Sequence, residues 1–76
     1  MKEYIEVAIP DKLLGNGTFD KFLGGDVPSG RYEYINKNRN GNFIFHIKFK
    51  TVEEGKKLLA KARSLGAEAH LYIGTR

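Results

Sequence analysis

RYEYINKNRNGNFIFHIKFK, residues 31–50, is the stretch from which the fold can be read. Side chains alternate faces along an extended strand. Phe43, Phe45, Ile47 and Phe49 therefore share one side, as do Tyr32 and Tyr34 on the run before them. Asn40-Gly41 between the two runs predicts a two-residue type I′ turn, in which both residues take positive φ. That turn sets residue 39 opposite 42, Tyr34 opposite Ile47 and Tyr32 opposite Phe49, with Glu33 facing Lys48 as a favourable pair on the far side. The hairpin then has an aromatic face suited to a core and a basic face turned away from it. It holds Arg31, Lys37, Arg39, Lys48 and Lys50 against the single acid Glu33, an excess equal to the net charge of +4 on the whole chain.

The segments on either side complete a pattern. Residues 2–9 alternate, with Ile5, Val7 and Ile9 on one side and Tyr4, Glu6 and Ala8 on the other, and Pro10 ends this strand. Thr51-Val52-Glu53-Glu54 has the form of a capping box, Thr51 accepting from the Glu54 amide while Glu54 reaches back. The helix it opens runs over 52–65 and stops at Gly66. Gly55, Leu58, Leu59, Ala62 and Leu65 form its buried stripe, with Lys56, Lys57, Lys61 and Arg63 outward. Residues 68–73 alternate again, Ala69, Leu71 and Ile73 inward, Glu68, His70 and Tyr72 outward; Thr75-Arg76 is a short tail. The remaining stretch, DKLLGNGTFDKFLGGDVPSG at 11–30, has too many glycines for a long helix. Thr18 can cap a short one over Phe19–Leu23, closed by Gly24 or Gly25 in a left-handed conformation. Leu13, Leu14, Phe19, Phe22 and Leu23 then cover the sheet in place of a full crossover helix.

This order predicts a single α+β domain over 1–76, a ferredoxin-like β-α-β-β-α-β sandwich. The sheet has four mainly antiparallel strands in the order four-one-three-two, one long helix (52–65) and a short or irregular first crossover. NGNFIFHIKFKTVEEGKKLL, residues 40–59, resembles the third strand and second helix of RNA-recognition motifs. With Phe49 at the last, buried position of that family's strand motif, its two RNA-facing places fall on Ile44 and His46, where the family carries stacking aromatics. FKTVEEGKKLLAKARSLGAEAHLYI, residues 49–73, is similar to the end of SPOR domains, which share this fold and bind septal peptidoglycan. The first half of the SPOR pattern has no counterpart here.

Composition narrows the function classes. A hydrophobic fraction of 41% with nine aromatics supports one core and argues against disorder. The absence of cysteine excludes disulfides and thiolate metal sites and suggests a reducing compartment. Glu3 and Glu6 stand where a signal peptide needs a basic start and an apolar run, so a cytoplasmic protein with no membrane contact is expected. Gly15-Asn16-Gly17 opens like a dinucleotide fingerprint, but Asp20 occupies the third glycine's place. His46 and His70 lack an evident third ligand, and no nucleophile–base spacing is present. The expectation is a non-enzymatic binding module without metal or cofactor.

Helices on one side of the sheet leave the other side open. The alternation assigns to that open face Tyr4, Glu6, Ala8, Arg31, Glu33, Ile35, Lys37, Ile44, His46, Lys48, Lys50, His70 and Tyr72. A solvated sheet whose lysines discourage edge pairing is one reading of such a face. The functional reading is a platform for nucleic acid or a nucleoprotein complex. Arg31, Lys37, Arg39, Lys48 and Lys50 serve as phosphate contacts and Tyr4, Tyr72, His46 and His70 as stackers. The alternative is a protein-binding inhibitor or accessory protein, of the kind phages encode against host or defence enzymes. It would act by steric occlusion through the 11–30 segment or the sheet face. Edge pairing into a dimer is neither required nor excluded by the sequence.

Overall fold

The computed structural model describes residues 3–73; Lys2 and the tail Thr75-Arg76 lie outside the described residues. Strand β1 spans Glu3–Pro10, a single helical turn α1 spans Asp11–Gly15, and a 3-10 turn at Ser29–Arg31 leads into β2, Tyr32–Lys37. β3 spans Asn42–Lys48, the long helix α2 spans Val52–Ser64, and β4 spans Glu68–Ile73. The sheet order is β2-β3-β1-β4, with all three neighbouring pairs antiparallel. This is the expected four-one-three-two order, and the architecture is an α+β arrangement consistent with the ferredoxin-like sandwich.

The alternating apolar residues meet beneath the helices as the core. Ile5, Val7 and Ile9 of β1, Phe45 and Ile47 of β3, and Ala69 of β4 are buried with Phe49, Ala62 and Ala67. Phe19, Phe22 and Val27, from the irregular stretch between α1 and β2, are equally buried, while Leu13, Leu14 and Leu23 pack against them half-buried. Full burial of one such side chain stabilises by about 1.5–3 kcal/mol. The apolar load of 11–30 is thus committed to the core, which leaves that segment without a docking patch of its own.

Three local expectations are corrected. The helix expected at Phe19–Leu23 is a single turn, Leu23 N donating to Phe19 O at 2.9 Å, before Gly24 turns the chain at φ +95°. Thr18 is no cap, because its amide and hydroxyl both donate to Asn16 Oδ1. The helical turn that does form lies earlier, at α1, where no glycine interrupts Asp11-Lys12-Leu13-Leu14. In the capping box, Thr51 Oγ1 accepts from Glu54 N at 3.1 Å as expected, but Glu54 reaches one residue further back, accepting from Lys50 N at 2.7 Å.

The largest correction concerns the hairpin. Its turn is not the two-residue type I′ but a three-residue loop, with Gly41 N donating to Asn38 O and Asn38 N to Asn42 O. Asn40 keeps negative φ and only Gly41 is left-handed, at +84°, the geometry of a tight turn followed by a glycine bulge. The Asn38 carboxamide fixes it by accepting from the amides of Asn40 and Asn42 at 2.9 and 3.0 Å. A second irregularity at Ile35, between Tyr34 and Asn36, shifts the ladder again. The observed pairs are Tyr32↔Ile47, Glu33↔His46, Tyr34↔Phe45, Asn36↔Ile44 and Lys37↔Phe43. Tyr34 thereby stays on the aromatic side, and Lys37 moves to that side as well. One extra residue in a strand reverses the face of everything beyond it.

Candidate functional site

The registers turn the open face into three rows that cross the sheet. From β3 through β1 to β4, the first row is Lys48, Tyr4, Tyr72. The second begins at β2 and runs Glu33, His46, Glu6, His70; the third runs Asn36, Ile44, Ala8, Glu68. Cross-strand partners lie side by side at about 5 Å, so each row is a line of neighbouring side chains.

Rings dominate the first two rows. Tyr4 stacks on Tyr72 with centroids 5.3 Å apart and planes 25° apart, and on His46 at 4.4 Å and 32°. With His46 on β3, Tyr4 on β1 and Tyr72 on β4, the three rings line up across the sheet as a ridge, Tyr4 half-buried between the other two. Tyr72, on the edge strand, is 42% exposed. His46 Nε2 lies 3.1 Å from Glu6 Oε2, and His70 Nε2 lies 3.5 Å from Glu68 Oε2. Glu33, beside His46, has no ion-pair partner among the described residues.

The expected site residues divide accordingly. Tyr4, Tyr72, His46, His70 and Lys48 come together on the open face. Arg31 reaches only the corner of that face, lining a cleft with Tyr4, His46 and Lys48, and its guanidinium pairs with the Glu54 carboxylate at 3.1 Å, where the 3-10 turn meets the start of α2. Lys37 is carried to the helix-side face by the Ile35 bulge, and its ammonium sits 5.1 Å above the Phe43 ring. Arg39 is in the hairpin loop, and Lys50 lies beyond β3 in the approach to α2. The cations that crowd the hairpin in sequence are therefore dispersed around the molecule.

Among the described residues, the strand positions of the open face hold Lys48 against Glu6, Glu33 and Glu68. That acidic balance is the feature missed in the sequence. Its signal was present, because all three glutamates share the strand parity of Tyr4, His46, His70 and Tyr72. The other described exposed cations include Lys56, Lys57 and Lys61 on the outer side of α2.

A cleft of about 660 Å³ opens at one corner of the face, lined among others by Tyr4, Arg31, Tyr32, Glu33, His46 and Lys48. It mixes both signs of charge. Among the described residues no three His, Asp or Glu side chains converge as a metal site would need. No helix among them is long and apolar enough to cross a membrane. Glu54, outside this face, has its carboxyl held below the usual range by the Lys50 amide, with the Arg31 guanidinium adding to the effect. Compared with protein-family models, curated proteins and solved structures, the chain finds no match in any of the three.

Proposed function

We propose that this chain is a non-enzymatic binding module that docks a protein partner through the open face of its sheet, as an inhibitor or accessory protein acting by occlusion. The observation that carries this reading is the composition of that face. A ridge of three rings has Glu6, Glu33 and Glu68 around it, with Lys48 as the one ammonium on the described strand positions of that face. Aromatics beside polar groups suit a protein interface, where Tyr is enriched and gives contact area at little entropic cost. Docking of nucleic acid on the same face has less support. Phosphates would sit beside three carboxylates, against the electrostatic term that supplies most such affinity.

Photo-crosslinking in the cells that make the protein tests this. A photoreactive residue is placed at Ala8, Ile44 or His70 on the open face, and at Lys57 or Lys61 on α2. Protein adducts that form from the sheet positions, survive nuclease and are absent from the α2 positions are the expected result. Nuclease-sensitive adducts, adducts formed equally from both surfaces, or none from the sheet would overturn the reading.

A further inference from the structure

We infer that the partner segment seated on the open face is basic and carries arginines spaced three residues apart; this rests on the docking reading above and names its occupant. Charge complementarity is the first reason. Among the described residues, the strand positions of this face present three carboxylates to one ammonium, with Arg31 at its corner already paired to Glu54. The Glu68 and Glu6 side chains are 70% and 37% exposed. Glu33 is exposed with no partner among the described residues, so a cation placed beside it need break no existing pair.

Geometry favours guanidinium over ammonium. A planar guanidinium can lie against an aromatic face while donating side-on to a carboxylate, which a lysine head cannot reproduce. Tyr72, 42% exposed on the edge strand, is the most open ring of the ridge and lies diagonally across from Glu6, which pairs with His70 two residues before it. Glu33 and Glu6 belong to one row with β3 between them, which separates their backbones by roughly 10 Å. An extended chain advances about 3.3–3.6 Å per residue. A segment lying across the strands therefore brings residues i and i+3 over these two carboxylates.

The probe is the decapeptide Gly-Ser-Arg-Gly-Ser-Arg-Gly-Ser-Arg-Gly, titrated into isotopically labelled chain and followed by amide chemical shifts at low and then physiological salt. Companion peptides replace arginine with lysine or citrulline, or gather the three arginines together, and oligo-dT of ten nucleotides is run in parallel. Shifts centred on Tyr4, Glu6, Glu33, Glu68 and Tyr72 are expected. Binding should be at least threefold tighter for arginine than for lysine and for the spaced peptide than for the clustered one, and absent for citrulline. A folded Glu6→Gln/Glu33→Gln/Glu68→Gln variant should lose tenfold or more. The same affinity for citrulline or for the triple variant, shifts confined to other surfaces, no shift at all, or oligo-dT on the same residues would each overturn the proposal. Sheet-face crosslinks without peptide binding would remove the arginine segment and leave protein docking standing. Peptide binding without sheet-face crosslinks would remove protein docking as the cellular role.

Discussion

Glu54 joins three parts of the molecule that are distant in sequence. Its carboxylate accepts from the Lys50 amide at 2.7 Å and pairs with Arg31, while its own amide caps α2 on Thr51. These contacts favour the charged form and lower its pKa from an ordinary value of 4.5. A group with a depressed folded pKa contributes stability that is present above its unfolded value and lost as pH falls through the folded one. Glu54→Gln should therefore melt below the parent at about pH 7, and the gap should shrink steadily below about pH 4.5. Thermal melts across that range check it, and a constant gap would assign the effect to shape instead of charge. Gly55, the next residue, answers to space. A Cβ there would lie 2.8 Å from the ring of Phe49, which is 6% exposed and cannot swing clear. Alanine gains about 1 kcal/mol of helix propensity, but overpacking a core costs about 1–3 kcal/mol. Gly55→Ala is expected to lower the urea midpoint, and adding Phe49→Leu should recover part of the loss.

At the scale of elements, the two edge strands are protected differently. β2 carries the Ile35 bulge and ends on Lys37, features that resist pairing with another strand. β4 has neither. Instead Arg63, reaching from α2, donates from Nε and Nη2 to Ala69 O at 3.1 and 2.7 Å, so a guanidinium covers the start of that edge. Arg63→Ala should cost about 1 kcal/mol and expose the edge. Sedimentation velocity over rising concentration is expected to show self-association in the variant that the parent lacks. Unchanged sedimentation would mean the edge is guarded by something other than Arg63. The two strands also mark what could be read in advance. Alternation in β1, β3 and β4 assigned the core-facing side, since a period of two survives any choice of partner, but the burial runs out along β4: Ala69 is buried, Leu71 half-buried and Ile73, expected inward, is 49% exposed at the strand's end. The Thr51 box and Gly66 bounded α2 because caps act locally. The β2 register was not legible, because it depends on one carboxamide, Asn38, selecting a three-residue loop over the favoured Asn40-Gly41 turn. The bulge at Ile35 adds a second shift with no local sequence mark. Those two features carry Lys37 off the open face, whereas Arg31 is drawn to Glu54 and Lys50 falls beyond the end of β3.

For the whole molecule, the consequence is a separation of charge that net charge conceals. The chain is basic at +4, but its open sheet face is acidic and its outer helix face presents Lys56, Lys57 and Lys61. Non-specific contact with a polyanion follows the local field, within a Debye length of about 10 Å at 0.1 M salt. At low salt, single-stranded DNA should therefore shift amides of α2 near Lys56, Lys57 and Lys61, and leave Tyr4, His46 and Tyr72 unmoved. Charge reversal at Lys57 and Lys61 should abolish that contact, whereas Lys48→Glu should barely alter it. Since a few phosphates are neutralised, the affinity should fall steeply with salt and be lost near physiological ionic strength. A footprint on the ring ridge that persists at physiological salt would instead make the sheet a nucleic-acid surface. The two footprints lie on opposite sides of the sheet, so a single labelled titration separates them.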